Sequence, residues 1–358
     1  MRVPPPPARG ATLNRTSGRF NLPDRQADGD WLDDREDVDG EAPPLRTSVT
    51  VERPRTIITR NSSPDIGFDR SINPYRGCEH GCIYCFARPS HAFHDLSPGV
   101  DFESRLFAKP DAAALLRAEL AKPGYSVRSM ALGTNTDPYQ PIEEHWRITR
   151  SILEILAETR HPLTITTKSN RVVRDVDILA PMAADGLAAV CVSITSLDPA
   201  IARTLEPRAP QPKRRLAAVR ALSDAGVPAY VSIAPVIPGI TDHEIEHIVE
   251  AAAEAGARGA FFLPVRLPFE VAPLFRAWLE EHFPDRAAKV MAIIQSLRGG
   301  RDNDPDFFTR MQGQGPWADL MRMRFRIAMR KQGLGAMRLS LRTDLFRAPE
   351  RGGQLRLL

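Results

Sequence analysis

Long apolar runs are absent. No stretch approaches the roughly 18 consecutive apolar residues of a membrane-crossing helix, so no membrane span is expected. The opening residues, MRVPPPPARG, lack the apolar segment that a secretory signal carries. Cysteine is scarce too, and four in 358 residues cannot build the disulfide framework of a small secreted domain. These shortages together point to a reducing, cytoplasmic compartment. Lysine is nearly missing from a basic chain: only six of the 48 basic residues are Lys, the rest Arg. That bias is global, so it cannot be read locally as a phosphate-binding signal.

Apolar residues are plentiful in total. They make up 42% of the chain, enough for a sizeable core, and 358 residues suit one large domain or two smaller ones. The formal charge is +4 but uneven. Residues 24–41 hold nine acids against two arginines, and residues 301–358 hold twelve Lys/Arg against six acids. The basic third reads first as a solvated surface and second as a footprint for a polyanion such as nucleic acid.

Residues 1–45 are rich in Pro, Gly, Asp and Arg and bury too little apolar surface to offset ordering entropy, which predicts a disordered arm. Residues 46–70 alternate β-branched side chains and suit a short strand or hairpin. A repeat follows. Runs at 126–134, 162–169, 187–196, 228–236 and 259–265 read as strands buried on both faces. Segments 111–121, 143–159, 172–186, 213–226 and 242–256 have helical periods, and the last two end in Gly, as helix C-caps do. FDRSIN, ahead of the cysteines, supplies a first strand. Six strand–helix units predict an α/β fold, a partial (β/α)6 TIM-like barrel over residues 46–265. Residues 266–358 form a helical and irregular extension that caps it. Active sites on such sheets gather at the carboxyl ends of the strands.

Three of the four cysteines, Cys78, Cys82 and Cys85, lie in SINPYRGCEHGCIYCFARPSH, spaced C-x3-C-x2-C. A loop that short can wrap its thiols around one soft metal centre. Structural zinc sites and ordinary clusters take four protein ligands. Here the fourth cysteine, Cys191, is far away in sequence, so three ligands leave one open position, where chemistry happens. A zinc site completed by His80 or His91 is the alternative.

The string NPYRGCEHGCIYCFAR, with GTNTDPYQPIE beyond it and the six-unit array around it, resembles the radical S-adenosylmethionine (SAM) superfamily. More narrowly it is similar to the spore-photoproduct-lyase-like, "DNA repair photolyase" branch, and within it to a bacterial subfamily whose reaction the motifs do not specify. The resemblance implies a 4Fe–4S cluster on Cys78, Cys82 and Cys85, with SAM on the fourth iron and a 5′-deoxyadenosyl radical as the product of its reductive cleavage. It implies a low-potential electron donor of flavodoxin or ferredoxin type. It places Tyr84 against the adenine. Gly133, Thr134, Asn135 and Thr136, with Asp137, stand where relatives meet the SAM amino group. Lys168 would pair with the SAM carboxylate, Ser193 and Thr195 would bond the ribose, and the backbone at Gly239 would pass the adenine.

Spore photoproduct lyase returns a hydrogen atom to its product from a further cysteine, and this chain has no cysteine from 86 to 190. Cys191, in a valine-rich run, reads as a buried small hydrophobe. Tyr139 is a candidate for radical quenching and Arg266 for binding an anionic substrate. Residues 297–316, with Arg298, Arg301, Asp302 and Arg310 among flexible glycines, suit a lid or clamp. The substrate is unspecified, with nucleic acid among the candidates. The rival readings are a DNA repair lyase and a non-catalytic Fe–S or zinc protein that binds nucleic acid.

Overall fold

The computed structural model describes residues 9–20, 46–336 and 340–350. Its main sheet has eight strands in the order β11-β10-β9-β8-β7-β6-β3-β2. These are β2 (Ile58–Arg60), β3 (Arg70–Ile72), β6 (Met130–Leu132), β7 (Leu163–Thr167), β8 (Ala188–Ser193), β9 (Ala229–Val236), β10 (Gly259–Pro264) and β11 (Gly335–Ala336). All pairings are parallel except β2 with β3. The six strands read from the sequence are β3 and β6 to β10. A second sheet, β1-β5-β4, joins β1 (Ser48–Val51), β5 (Arg105–Ala108) and β4 (Tyr75–Arg76) beside the cysteine segment. Residues 46–70 thus supply both a strand and most of a hairpin: β1 pairs with β5, and β2 turns back antiparallel onto β3, with Arg60 opposite Arg70.

Alternate residues divide the strands between two faces. Leu163, Ile165, Val190, Val192, Val231 and Ile233 belong to the main core, which the surrounding helices share. Their neighbours Thr166, Cys191 and Tyr230 stand opposite one another across β7, β8 and β9. Thr166 is exposed in mid-strand, so this second face opens onto the barrel interior.

Two expected helices are broken, for tertiary reasons. The 143–159 segment splits at Arg147, which is left-handed at φ 49°. The buried Glu143 carboxylate accepts from Thr149 N (3.0 Å) and Arg150 N (3.3 Å), starting the second helix, Ile148–Glu158. The 172–186 segment becomes a 3-10 stretch, Asn170–Asp175, and a helix, Val176–Ala184. A helix that the repeat pattern missed, Pro199–Leu205, follows β8. It had local signals: Pro199 at its start and Asp198 accepting from Ala200 N at 2.7 Å.

The extension divides in two. The helix Val271–His282 shares a buried cluster with Cys82, Ile83, Tyr84 and Leu205, and thus roofs the carboxyl ends of the strands. The helix Gly315–Lys331 packs on β10 and on the helix Ile245–Glu254, outside the sheet, and leads to β11. Of the expected arm, residues 9–20 depart from disorder. They lie along the cysteine segment, with Gly10 N and Ala11 N donating to Glu103 at 2.8 and 2.9 Å. The rest of the 1–45 arm lies outside the described residues.

Candidate functional site

The cysteine loop follows β4 at the carboxyl end of the barrel and is built on two glycines. Gly77 has φ 73°, and a Cβ there would sit 2.7 Å from Phe102 O. Gly81 has φ 67°, with the Glu103 carboxylate 2.7 Å from where a Cβ would stand. Behind the loop the fully buried Arg88 guanidinium donates to four carbonyls: Cys82 (2.8 Å), Gly81 (3.0 Å), Pro98 (3.0 Å) and Gly99 (2.9 Å). It also pairs with the fully buried Glu103. Ile83 N donates to Leu205 O at 3.0 Å, tying the loop to the β8 side of the barrel.

Cys78 and Cys82 are buried, Cys85 is half-buried, and none is in a disulfide. Burial pushes the Cys78 thiol well up and takes Cys82 up to about 12, so these groups stay protonated unless a soft metal displaces the proton. Among the described residues, no three His, Cys, Asp or Glu side chains converge closely enough to hold a single metal ion. A cluster asks less closeness of its ligands, since its separate irons each take one thiolate. The two histidines named as zinc ligands each use one ring nitrogen on a protein oxygen, and His91 Nδ1 has no partner. His80 Nδ1 is 3.3 Å from Asp137, and His91 Nε2 meets Arg105 O at 2.9 Å.

Beside Cys82 lies a buried polar network. The Tyr84 and Thr195 hydroxyls both donate to Glu206, which pairs with the fully buried Arg215. Arg215 also donates to Ser193 O at 3.1 Å, holding the end of β8. The Lys168 ammonium, at the end of β7, stands 5.6 Å from the Tyr84 ring centre, in cation–π range. Burial opposes the Glu206 charge, but Arg215 and Lys168 outweigh it and bring the carboxyl down to about 2. Burial likewise opposes the Lys168 charge, and Cys82 and Glu206 outweigh it, so its pKa is raised. Lys168, Tyr84, Ser193 and the cysteines thus share one region. The Thr195 hydroxyl donates to Glu206 at 2.9 Å and stands 3.2 Å from the Tyr84 hydroxyl.

The loop after β6 joins the cysteine loop to β7. Gly133, at φ 87°, lets β6 approach so closely that a Cβ would stand 2.0 Å from Thr166 O. Thr134 and Asn135 remain half-exposed, oriented by Asn73, whose Oδ1 accepts from Asn135 N at 2.9 Å. The buried Thr136 hydroxyl donates to Gly77 O at 2.7 Å and supports the cysteine loop. Asp137 gathers Thr167 Oγ1 (2.7 Å), Lys168 N (2.8 Å) and Tyr139 N (2.9 Å), fixing where Lys168 leaves its strand. Gly239, at φ 74°, turns the chain after β9, and its N–H donates to Asp242 at 2.9 Å.

Tyr139 is not at the open rim. It is fully buried, its hydroxyl donates to Asp175 at 3.0 Å, and Arg174 lies over its ring. It backs a cavity of about 260 Å³ behind the cysteine loop, also lined by His80, Arg171, Arg208, Gln211 and Arg214. Cys191 is buried as expected, but on the inner wall, against Tyr230, Phe261 and Leu341. Arg266 follows β10 on the carboxyl rim and is half-buried. Glu206, Arg215, Asn73, Arg88 and Glu103 carried no sequence signal of a site.

The family model described as "Radical SAM superfamily" matches residues 72–252. An uncharacterized protein of Mycobacterium tuberculosis is 37% identical over 230 residues, 64% of this chain and 68% of its own. One from Methanocaldococcus jannaschii is 27% identical over 214 residues, 60% of this chain and 76% of its own. Among solved structures, spore photoproduct lyase complexed with dinucleoside spore photoproduct superposes with TM-score 0.55, covering 80% of each chain at 16% identity. A mutant of that lyase with bound AdoMet and dinucleoside spore photoproduct gives 0.54 over the same shares, also at 16%. At these identities the likeness is one of fold.

Proposed function

Starting from the fact that the chain belongs to the radical SAM superfamily, we propose that Cys78, Cys82 and Cys85 hold a site-differentiated 4Fe–4S cluster whose fourth iron takes SAM. The observation that carries this reading is the placement of three free thiols in one rigid loop, with Lys168 and the Tyr84–Glu206–Arg215 network beside Cys82. When bound and reduced, such a cluster supplies the electron that splits SAM into methionine and a 5′-deoxyadenosyl radical.

The chain's own residues prepare the site. Arg88 and the two glycines hold the cysteine loop in one shape, so the thiols meet the metal with little ordering left to do. Lys168 offers the cation for the SAM carboxylate, and Asp137 fixes its backbone. Thr134 and Asn135 offer oxygens to the ammonium from the half-exposed end of β6. Tyr84 offers its ring, held by the bond from its hydroxyl to Glu206. Ser193 serves the ribose and Gly239 the adenine. The roof helix Val271–His282 keeps water from the loop, with Trp278 Nε1 bonded to Thr204 O at 3.0 Å. The electron would come from a flavodoxin- or ferredoxin-type carrier in a cytoplasmic setting. No helix among the described residues is long and apolar enough to cross a membrane.

Anaerobically reconstituted protein should bind about four irons and, with dithionite and SAM, release 5′-deoxyadenosine. Iron uptake without cleavage under any reductant would defeat the catalytic half of the reading. Lys168→Met should weaken SAM binding to the reconstituted protein about tenfold, since a charge-assisted hydrogen bond is worth roughly 1.5–3 kcal/mol. Unchanged SAM affinity would remove Lys168 from the site. A second reading, repair of a DNA lesion, draws on the shared fold with spore photoproduct lyase. Salt-dependent binding to DNA oligomers is its discriminator.

A further inference from the structure

Among the described residues, the buried Arg70, Arg88, Arg215 and Arg298 are held by carboxylates or carbonyls, although Arg298 Nε has no partner, whereas the half-buried Arg266 has neither. Arg70 bonds Asp69, Arg88 bonds Glu103, and Arg215 bonds Glu206. Arg298 donates to four carbonyls, those of Val265 (2.8 Å), Arg310 (2.7 Å), Pro264 (3.3 Å) and Thr309 (3.4 Å). Arg310 forks onto Asp65, with Nε at 2.7 Å. Arg266 has none of this. Its Nη1 donates to the Met311 sulfur at 3.2 Å, and its Nε is buried without any partner. No carboxylate among the described residues comes within ion-pair distance of it.

A thioether is a weak acceptor. A guanidinium left with only that has lost solvation and gained little, and such an unpaired buried charge costs stability. The nearby carboxylates are already committed. Asp65 accepts from Arg310 and from Phe308 N, and Asp304 accepts from Asp306 N and stands 3.8 Å from Arg301. Burial, then the Arg310 charge, lower the Arg266 pKa by more than Asp65 and Asp304 raise it.

Its place adds the second half of the argument. Arg266 stands two residues beyond the end of β10, on the rim that carries Lys168 and Ser193. Residues 298–312 pass beside it. Arg298 fastens that segment to the end of β10, and Arg310 fastens it to Asp65, in the loop before β3 near the sheet's opposite edge. The Nε edge of Arg266 presents two N–H groups in the fork that fits a carboxylate or a phosphate.

We propose that Arg266 is a substrate-anchoring residue that takes an oxyanion, a carboxylate or a phosphate, through its unpartnered Nε edge at the mouth of the barrel beneath residues 298–312. The substrate of this enzyme is then anionic and holds its charge away from the carbon that reacts. The word substrate rests on the radical SAM reading; the anion site does not.

The test uses the full chain as purified, melted in sodium phosphate and in sodium acetate against sodium chloride of equal ionic strength. Wild type should be stabilised by one of the two oxyanions beyond the chloride control, and which one distinguishes a phosphate-bearing from a carboxylate-bearing substrate. Arg266→Met should raise the apparent Kd for that anion at least about tenfold while melting no lower than wild type without it, because an unpaired charge has been removed. Arg266→Lys keeps the charge without the fork and should bind the anion with intermediate affinity. An anion response that survives in Arg266→Met, or no response in wild type, overturns the proposal. Loss of anion binding together with a clearly lower melting point overturns it only if Arg266→Lys also loses both, since that pattern is a structural role. Release of 5′-deoxyadenosine by wild type is read separately, so failure of the anion site and failure of the radical SAM reading are told apart.

Discussion

Cys82→Ala protein, reconstituted anaerobically, should retain no 4Fe–4S cluster and release no 5′-deoxyadenosine, whereas Cys191→Ala should retain both. The contrast follows from position. Cys82 sits mid-loop between Cys78 and Cys85, its carbonyl held by Arg88 at 2.8 Å, so no other thiol can take its place. Cys191 is a strand residue on the inner wall, paired in register with Thr166 and Tyr230, and its backbone cannot leave the sheet to reach the loop. The loss should be complete, because two thiolates on a flexible remainder do not hold a cluster that three preorganised ones do. Iron analysis and the visible absorption of the cluster give the answer. Cluster loss in Cys191→Ala would show that the ligand set is wrong.

The second large effect is on stability. Arg88→Met leaves the buried Glu103 carboxylate without its ion-pair partner, held only by the N–H groups of Gly10 and Ala11, and strips four carbonyls of their donor. Breaking one side of a buried pair costs about 3–5 kcal/mol, and the orphaned carbonyls add to it. Chemical denaturation should report a loss of at least that size, and iron retention should fall with it. The double variant Arg88→Met, Glu103→Met should recover part of the loss, since the stranded charge is gone. A single variant as stable as wild type would mean that the post behind the loop carries no strain.

Much of this fold could be read from the chain because its signals are local. The strands are short β-branched runs and the helices have clear periods, closed by glycines such as Gly226 and Gly256 at positive φ. The cysteine triad is local as well. What escaped depends on partners distant in sequence. The break at Arg147 is made by Glu143 acting as a cap from outside the second helix. Glu206 and Arg215 become a pair only once the chain from 206 to 215 has turned back on itself beside Tyr84. Thr136, Thr195 and Tyr139 looked available because a hydroxyl in sequence shows no partner; each has one in the fold. Residues 9–20 have no core of their own, and what orders them is a carboxylate over ninety residues away.

The fastenings of the rim also impose an order of assembly. Arg19 bonds Glu270 across 251 positions of sequence, and Arg310 bonds Asp65 across 245. On the ribosome neither can form until its later member has emerged. The backbone of the cysteine loop needs partners only as far as Arg208, so its hydrogen bonds can be complete while the roof helix and residues 298–312 are still to come.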